Sequence, residues 1–148
     1  MNQAAKTYWN DYWKGQEKPA SVSAWQFGAD ADHLAQLVID GVKTATCSSF
    51  VSYEFENEPV PSVGDYSIIL NSRDEPVAII QTVEVDIMPI KNVPEDFAAA
   101  EGEGDGTYAY WKHTHVKYFS EELSRMGLEF SDDMLLVCER FQLVDVKQ

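Results

Sequence analysis

Gly41-Val42-Lys43-Thr44-Ala45-Thr46-Cys47-Ser48 decides how the rest of the chain is read. A predicted helix, about Ala31 to Asp40, ends at its start. Asp30 is the natural N-cap, since its carboxylate can accept an orphan backbone N–H. Leu34, Leu37 and Val38 supply the buried face. Gly41 lacks a Cβ and can take the left-handed conformation that closes a helix. An extended segment follows. On a regular strand Lys43 and Thr46 fall on opposite sides, whereas a bend or bulge would turn both toward one pocket.

Outward from this point the pattern predicts an α+β domain. Toward the N-terminus, Tyr8, Trp9, Tyr12 and Trp13 form an aromatic stripe on a helix over 5–14. A polar linker with Pro19 leads to a short strand around Trp25 and Phe27. Toward the C-terminus, Phe50, Tyr53 and Phe55 anchor a short helix or an irregular loop. Tyr66 to Leu70 and Pro76 to Met88 read as strands joined by a tight turn, which favours antiparallel pairing. A short helix over Glu95–Glu101 meets a glycine–acid run, and a longer helix spans about Thr107 to Met126. On the latter, Trp111, His115, Phe119 and Leu123 share one arc. The last strand, Met134 to Val146, is expected to turn Leu135, Val137, Glu139, Phe141 and Leu143 to the core.

The 148 residues fit one domain with one sizeable core. The net charge is -14. Residues 51–148 carry most of it, with seven Lys/Arg against twenty Asp/Glu. Such a field repels a phosphate backbone, so RNA is disfavoured as a partner and DNA is not expected. A small-molecule substrate is compatible. No apolar run approaches the roughly 18 residues that cross a bilayer, and the N-terminus has no signal-peptide core. With two cysteines, Cys47 and Cys138, the chain has no disulfide framework. A reducing, cytoplasmic setting is expected, with no membrane partner.

Lys43 is a solvated amine or, in a dry pocket where desolvation disfavours the ammonium, a general base. Thr46 is a β-branched strand residue or a nucleophile activated by a neighbouring base. Glu101, Glu103 and Asp105 form a solvated acidic loop or supply a carboxylate to Lys43 or to a substrate amine. The run has neither calcium-loop nor phosphate-loop spacing. His113 and His115 lie two apart and do not converge on a helix. His115 reads as a satisfied core residue, and His113, off the apolar arc, as one able to reach a cleft. No metal site or cofactor is implied.

These stretches together resemble the ASCH domain family. They are Gly41 to Thr46, the Pro61-Ser62-Val63-Gly64-Asp65 turn, Phe97 to Asp105, and Trp111…His115…Phe119. The resemblance runs from about Trp25 to Val146. It implies a PUA-like antiparallel β-barrel with surrounding helices, residues 23–148 forming the ASCH-like domain and residues 1–22 an added helix and linker. The family pattern has an acid and a base where this chain has Thr46 and Ser48. Small relatives that hydrolyse N4-acetylcytidine use a lysine, a threonine and a glutamate, which by position resemble Lys43, Thr46 and Glu103. The resemblance thus implies an amidohydrolase acting on a modified nucleoside. Thr46 is its nucleophile, Lys43 its base and Glu103 the group that orients them. Trp25, Glu101 and His113 are further pocket candidates. Other relatives look like single-stranded RNA nucleases, so RNA binding or cleavage, or a noncatalytic ligand-binding module, are the alternatives.

Overall fold

The computed structural model describes residues 1–148. Five strands and five helices follow one another in the order α1 (Gln3–Tyr12), β1 (Val22–Trp25), α2 (Ala31–Ile39), β2 (Ala45–Ser49), α3 (Phe50–Phe55), β3 (Tyr66–Leu70), β4 (Pro76–Pro89), α4 (Glu95–Glu101), α5 (Tyr108–Arg125) and β5 (Leu135–Val146). No helix is long and apolar enough to cross a membrane.

The strands form one sheet in the order β1-β3-β4-β5-β2. The α+β class holds, but two features of the expected antiparallel barrel do not. The sheet is mixed, because β1 runs parallel to β3. It is also open. The edge strands β1 and β2, of four and five residues, pair only with β3 and β5. The segment between β2 and β3, beside both edges, contains α3, Pro59 and Pro61. Proline cannot donate to a strand ladder, and this segment lines the gap between the edges instead of closing it.

The aromatic stripe of α1 docks on the sheet. Tyr8 and Trp9 are buried with Ile68, Leu70 and Ile79, and the Tyr8 hydroxyl donates to Asp145 at 2.7 Å. α2 is capped by Asp30, which accepts from His33 N–H, and its Leu34, Ala35 and Val38 pack with Ile69, Ala78, Ile80 and Phe141. α4 and α5 bring Phe97, Ala98, Trp111 and Phe119 against Ala45, Leu136 and Cys138.

The alternation expected along β5 fails. Leu136, Val137 and Cys138 are all buried, while Leu135 and Leu143 are exposed. The first half of this strand is covered on both faces, so burial there has no period of two. Register shifts at Ile79/Ile80 and Thr82/Glu84 in β4 then re-aim its partners.

Candidate functional site

Gly41 closes α2 with φ +76. Beyond it the backbone N–H groups of Val42 and Lys43 both donate to the Leu37 carbonyl, and Thr44 N–H donates to Ala100 O at 2.7 Å. The last bond ties the entry of β2 to the end of α4. Gly102, with φ +66, ends α4. A Cβ on it would collide with the Val42 carbonyl, so only glycine lets the two backbones approach this closely. Glu101 and Glu103, on either side of Gly102, are thereby delivered to Lys43.

Lys43 is 1 % exposed. Its ammonium donates to Glu101 Oε1 at 3.1 Å and to Glu103 Oε2 at 2.9 Å, and it sits 5.4 Å from the centroid of the Phe27 ring. Burial presses its pKa down, but the two carboxylates outweigh burial and raise it. This environment favours the ammonium form of Lys43. The lowered pKa that a general base would need is not what this environment produces.

Glu101 is the hub. Its Oε2 accepts from Trp111 Nε1 at 2.6 Å and from the Cys47 thiol at 3.3 Å. His115 Nε2 lies 3.3 Å from the same oxygen, while His115 Nδ1 meets the Trp111 carbonyl at 2.8 Å. Burial works to raise the Glu101 pKa, yet His115, Lys43 and Trp111 hold it down at about 2. His115 is lowered by burial and raised, in net, by its contact with Glu101. Burial, then the Glu101 charge, pushes the Cys47 thiol well up, so Cys47 is a protonated donor.

The ligating atoms of Cys47, Glu101 and His115 lie within 4.8 Å of one another, the spacing of a three-ligand metal set. All three are already hydrogen-bonded within the cluster, and a cation there would share Glu101 with the Lys43 ammonium.

Thr46 is placed differently. β2 pairs with β5 without a register shift, so side chains alternate along it. Cys47 points to the Glu101 side and Thr46 to the opposite side, directly across from Glu139. Thr46 makes no hydrogen bond to Lys43 or Glu103. No register shift interrupts β2 between Ala45 and Ser49.

Thr46 opens onto a cavity of about 890 Å³ to which all five strands contribute. It occupies the hollow left where the sheet fails to close, between the edges of β1 and β2. Trp25, Phe27, Tyr53, Tyr66, Tyr118 and Phe119 give it aromatic walls. Its carboxylates are Glu56, Glu58, Asp65, Glu122 and Glu139, and no Lys or Arg reaches it. Cys47 is shared, touching both the cavity and the buried cluster.

Of the residues singled out from the sequence, Glu101 and Glu103 thus both contact Lys43. Thr46 and Trp25 line the cavity. His113 is exposed on the outer side of α5, at a separate shallow depression with Tyr108 and Lys117. Asp105 caps the start of α5 through Thr107. Sequence reasoning missed Cys47, Trp111, His115 and Glu139 as site residues. The i, i+4 spacing of Trp111 and His115, whose rings stack at 4.5 Å, was the available signal for two of them.

Comparison with known proteins agrees with this architecture. No curated protein matches the chain. Among solved structures, the ASCH domain from Lactobacillus crispatus JV V101 superposes with a TM-score of 0.90 at 36 % identity, over 97 % of this chain and 95 % of that one. A protein from Enterococcus faecalis V583 superposes with a TM-score of 0.87 at 40 % identity, over 99 % of this chain and 91 % of that one. These likenesses are consistent with a PUA-like fold. The ASCH domain profile matches residues 23–145, so the chain belongs to the ASCH domain family.

Proposed function

We propose that the protein is an amidohydrolase acting on a small, unphosphorylated aromatic amide, of which an N4-acylated cytidine is the model. The observation that carries this reading is the cavity. Its volume suits a nucleoside-sized ligand. Its rings offer faces on which a base can stack. Its carboxylates, with no basic side chain among them, repel phosphate.

Thr46 is the one threonine on β2 and stands on the cavity wall. In this reading its Oγ1 attacks the amide carbonyl carbon. Lys43 acts from behind the wall as a positioning residue, its ammonium fixing the Glu101 cluster that carries Cys47 and the strand. RNA is the competing ligand. The -14 net charge and the acidic lining oppose it, because nonspecific RNA affinity comes from lysine and arginine on phosphates.

The test is a hydrolysis panel of N4-acetylcytidine, its 5′-monophosphate and a short RNA carrying the same base. The nucleoside should be turned over fastest and the RNA slowest. Preference for the RNA, or binding of the nucleoside without turnover, would refute the reading.

A further inference from the structure

The amidohydrolase reading leaves a proton unassigned. The Thr46 hydroxyl must lose one to attack, and Lys43 is engaged elsewhere, its ammonium held by Glu101 and Glu103. We propose that Glu139 is the catalytic base that serves Thr46, a role that rests on the reading of Thr46 as nucleophile.

The geometry singles out this carboxylate. Thr46 and Glu139 are Cα partners across the antiparallel β2–β5 pair, so their side chains leave the same face of the sheet as nearest neighbours. Both line the cavity. Thr82 donates its hydroxyl to Glu139 Oε1 at 3.1 Å, which orients the group. Oε2 accepts no hydrogen bond from the protein and is free for a proton. The other carboxylates of the wall are otherwise engaged or placed. Glu122 is held by Ser49 and Ser52 and Asp65 by Ser21 and Ser62 N–H, while Glu56 and Glu58 sit on the segment after α3 and are not strand partners of β2.

The surroundings also suit a base. Burial raises the Glu139 pKa, the Thr82 hydrogen bond opposes this, and the Asp65 charge adds to it. The titratable groups around the cavity with it are Asp65 before β3, Tyr66 on β3, Tyr53 on α3, Glu56 and Glu58 after α3, and Glu122 and Tyr118 of α5. None is cationic. Arg140, its neighbour in sequence, leaves the opposite face and pairs with Glu84 and Asp96. A carboxylate with a raised pKa is a stronger base than an ordinary one and still ionises within the working range of pH.

In the step proposed, Thr46 Oγ1 bonds to the carbonyl carbon as its proton passes to Glu139 Oε2. The C–N bond then breaks, and Glu139 returns that proton to the departing amine nitrogen. Water attacks the Thr46 ester, giving its proton to Glu139. The ester C–O bond breaks, Glu139 gives that proton to Thr46 Oγ1 and returns to its ionised form, and the acid is released.

The experiment uses p-nitrophenyl acetate as acyl donor and follows acetylation of the Thr46 peptide by mass spectrometry, from about pH 4 to pH 9. In the wild type the rate should rise with pH through one ionisation above the ordinary carboxylate range. Glu139→Gln should lose that limb and about 100-fold in rate. A folded Glu139→Gln protein with the wild-type rate and limb would overturn the assignment, as would a wild type whose Thr46 stays unmodified. Should Glu139→Gln fail to fold, carbon NMR of labelled glutamates in the wild type decides. The Glu139 titration midpoint must match the kinetic one, and a mismatch overturns the assignment. Glu139-dependent acetylation without hydrolysis of N4-acetylcytidine would overturn the substrate reading alone. Hydrolysis indifferent to Glu139 would overturn the base alone.

Discussion

Lys43→Met removes the ammonium while keeping an unbranched side chain of similar length, so the loss is of charge rather than of packing. In the wild type the ammonium answers two carboxylates. Glu103 is 17 % exposed and can turn to water, whereas Glu101 is 2 % exposed and cannot. The cost is therefore that of leaving one buried carboxylate without its cation. Breaking a buried pair from one side costs about 3–5 kcal/mol. Trp111, Cys47 and His115 still donate to Glu101, which places the loss near the lower end, about 3 kcal/mol. For a chain of this size that lowers Tm by roughly 6–12 °C. His115 adds a signature. Protonated, it replaces part of the missing charge, so the penalty should grow as pH rises through the His115 titration. Adding Glu101→Gln to Lys43→Met should cost less than the sum of the two single changes by about 1 kcal/mol or more. Thermal and urea unfolding at several pH values measure all of this. A loss under about 1 kcal/mol, independent of pH, is what an exposed pair would give, and it would refute the buried-hub account.

Other consequences follow from the same cluster. Gly102→Ala forces a left-handed φ on a residue with a Cβ and drives that Cβ into the Val42 carbonyl. It should destabilise the fold by roughly 1–3 kcal/mol, and a Tm within experimental error of wild type would contradict the close approach. Burial, then the Glu101 charge, raises both thiol pKa values, Cys138 to about 12. Iodoacetamide should hardly label either at neutral pH until the protein unfolds, and rapid labelling of the native protein would refute this. The Glu101 pKa is depressed to about 2, so its contribution to stability is present above the ordinary carboxylate range and lost as pH falls toward 2. The His115 pKa is raised, so its contribution is present below the ordinary histidine value and lost as pH rises through the higher folded value. Urea unfolding should thus show a stability plateau falling on both sides, and a curve still rising above neutral pH would contradict the His115 assignment.

Much of this was legible in the residues. Asp30 and Gly41 bracket α2, the turn at Asn71–Glu75 pairs β3 with β4, and the aromatic stripe of α1 finds the sheet, because these features are local and obey helix or strand period. What was not legible is long-range. The parallel pairing of β1 with β3 joins residues more than forty positions apart in sequence, and no periodicity encodes it. Edge closure depends on what the α3–Pro61 segment does in space, so the barrel was expected where a hollow exists. Lys43 and Glu103 do meet, but burial arrives together with two carboxylates, and the second effect decides the charge state. Thr46 and Cys47 leave opposite faces of β2 because that strand stays regular. Glu139 read as one more alternating strand position. Only the β2–β5 register, invisible in the sequence, puts it opposite Thr46.

The most direct test is the steady-state hydrolysis of N4-acetylcytidine by the wild type and by Thr46→Ala, with cytidine and acetate both quantified. The account predicts equimolar products from the wild type and loss of turnover in a Thr46→Ala protein that folds and still binds the nucleoside. Wild-type turnover in Thr46→Ala would contradict the nucleophile, and no turnover by the wild type would contradict the proposed chemistry.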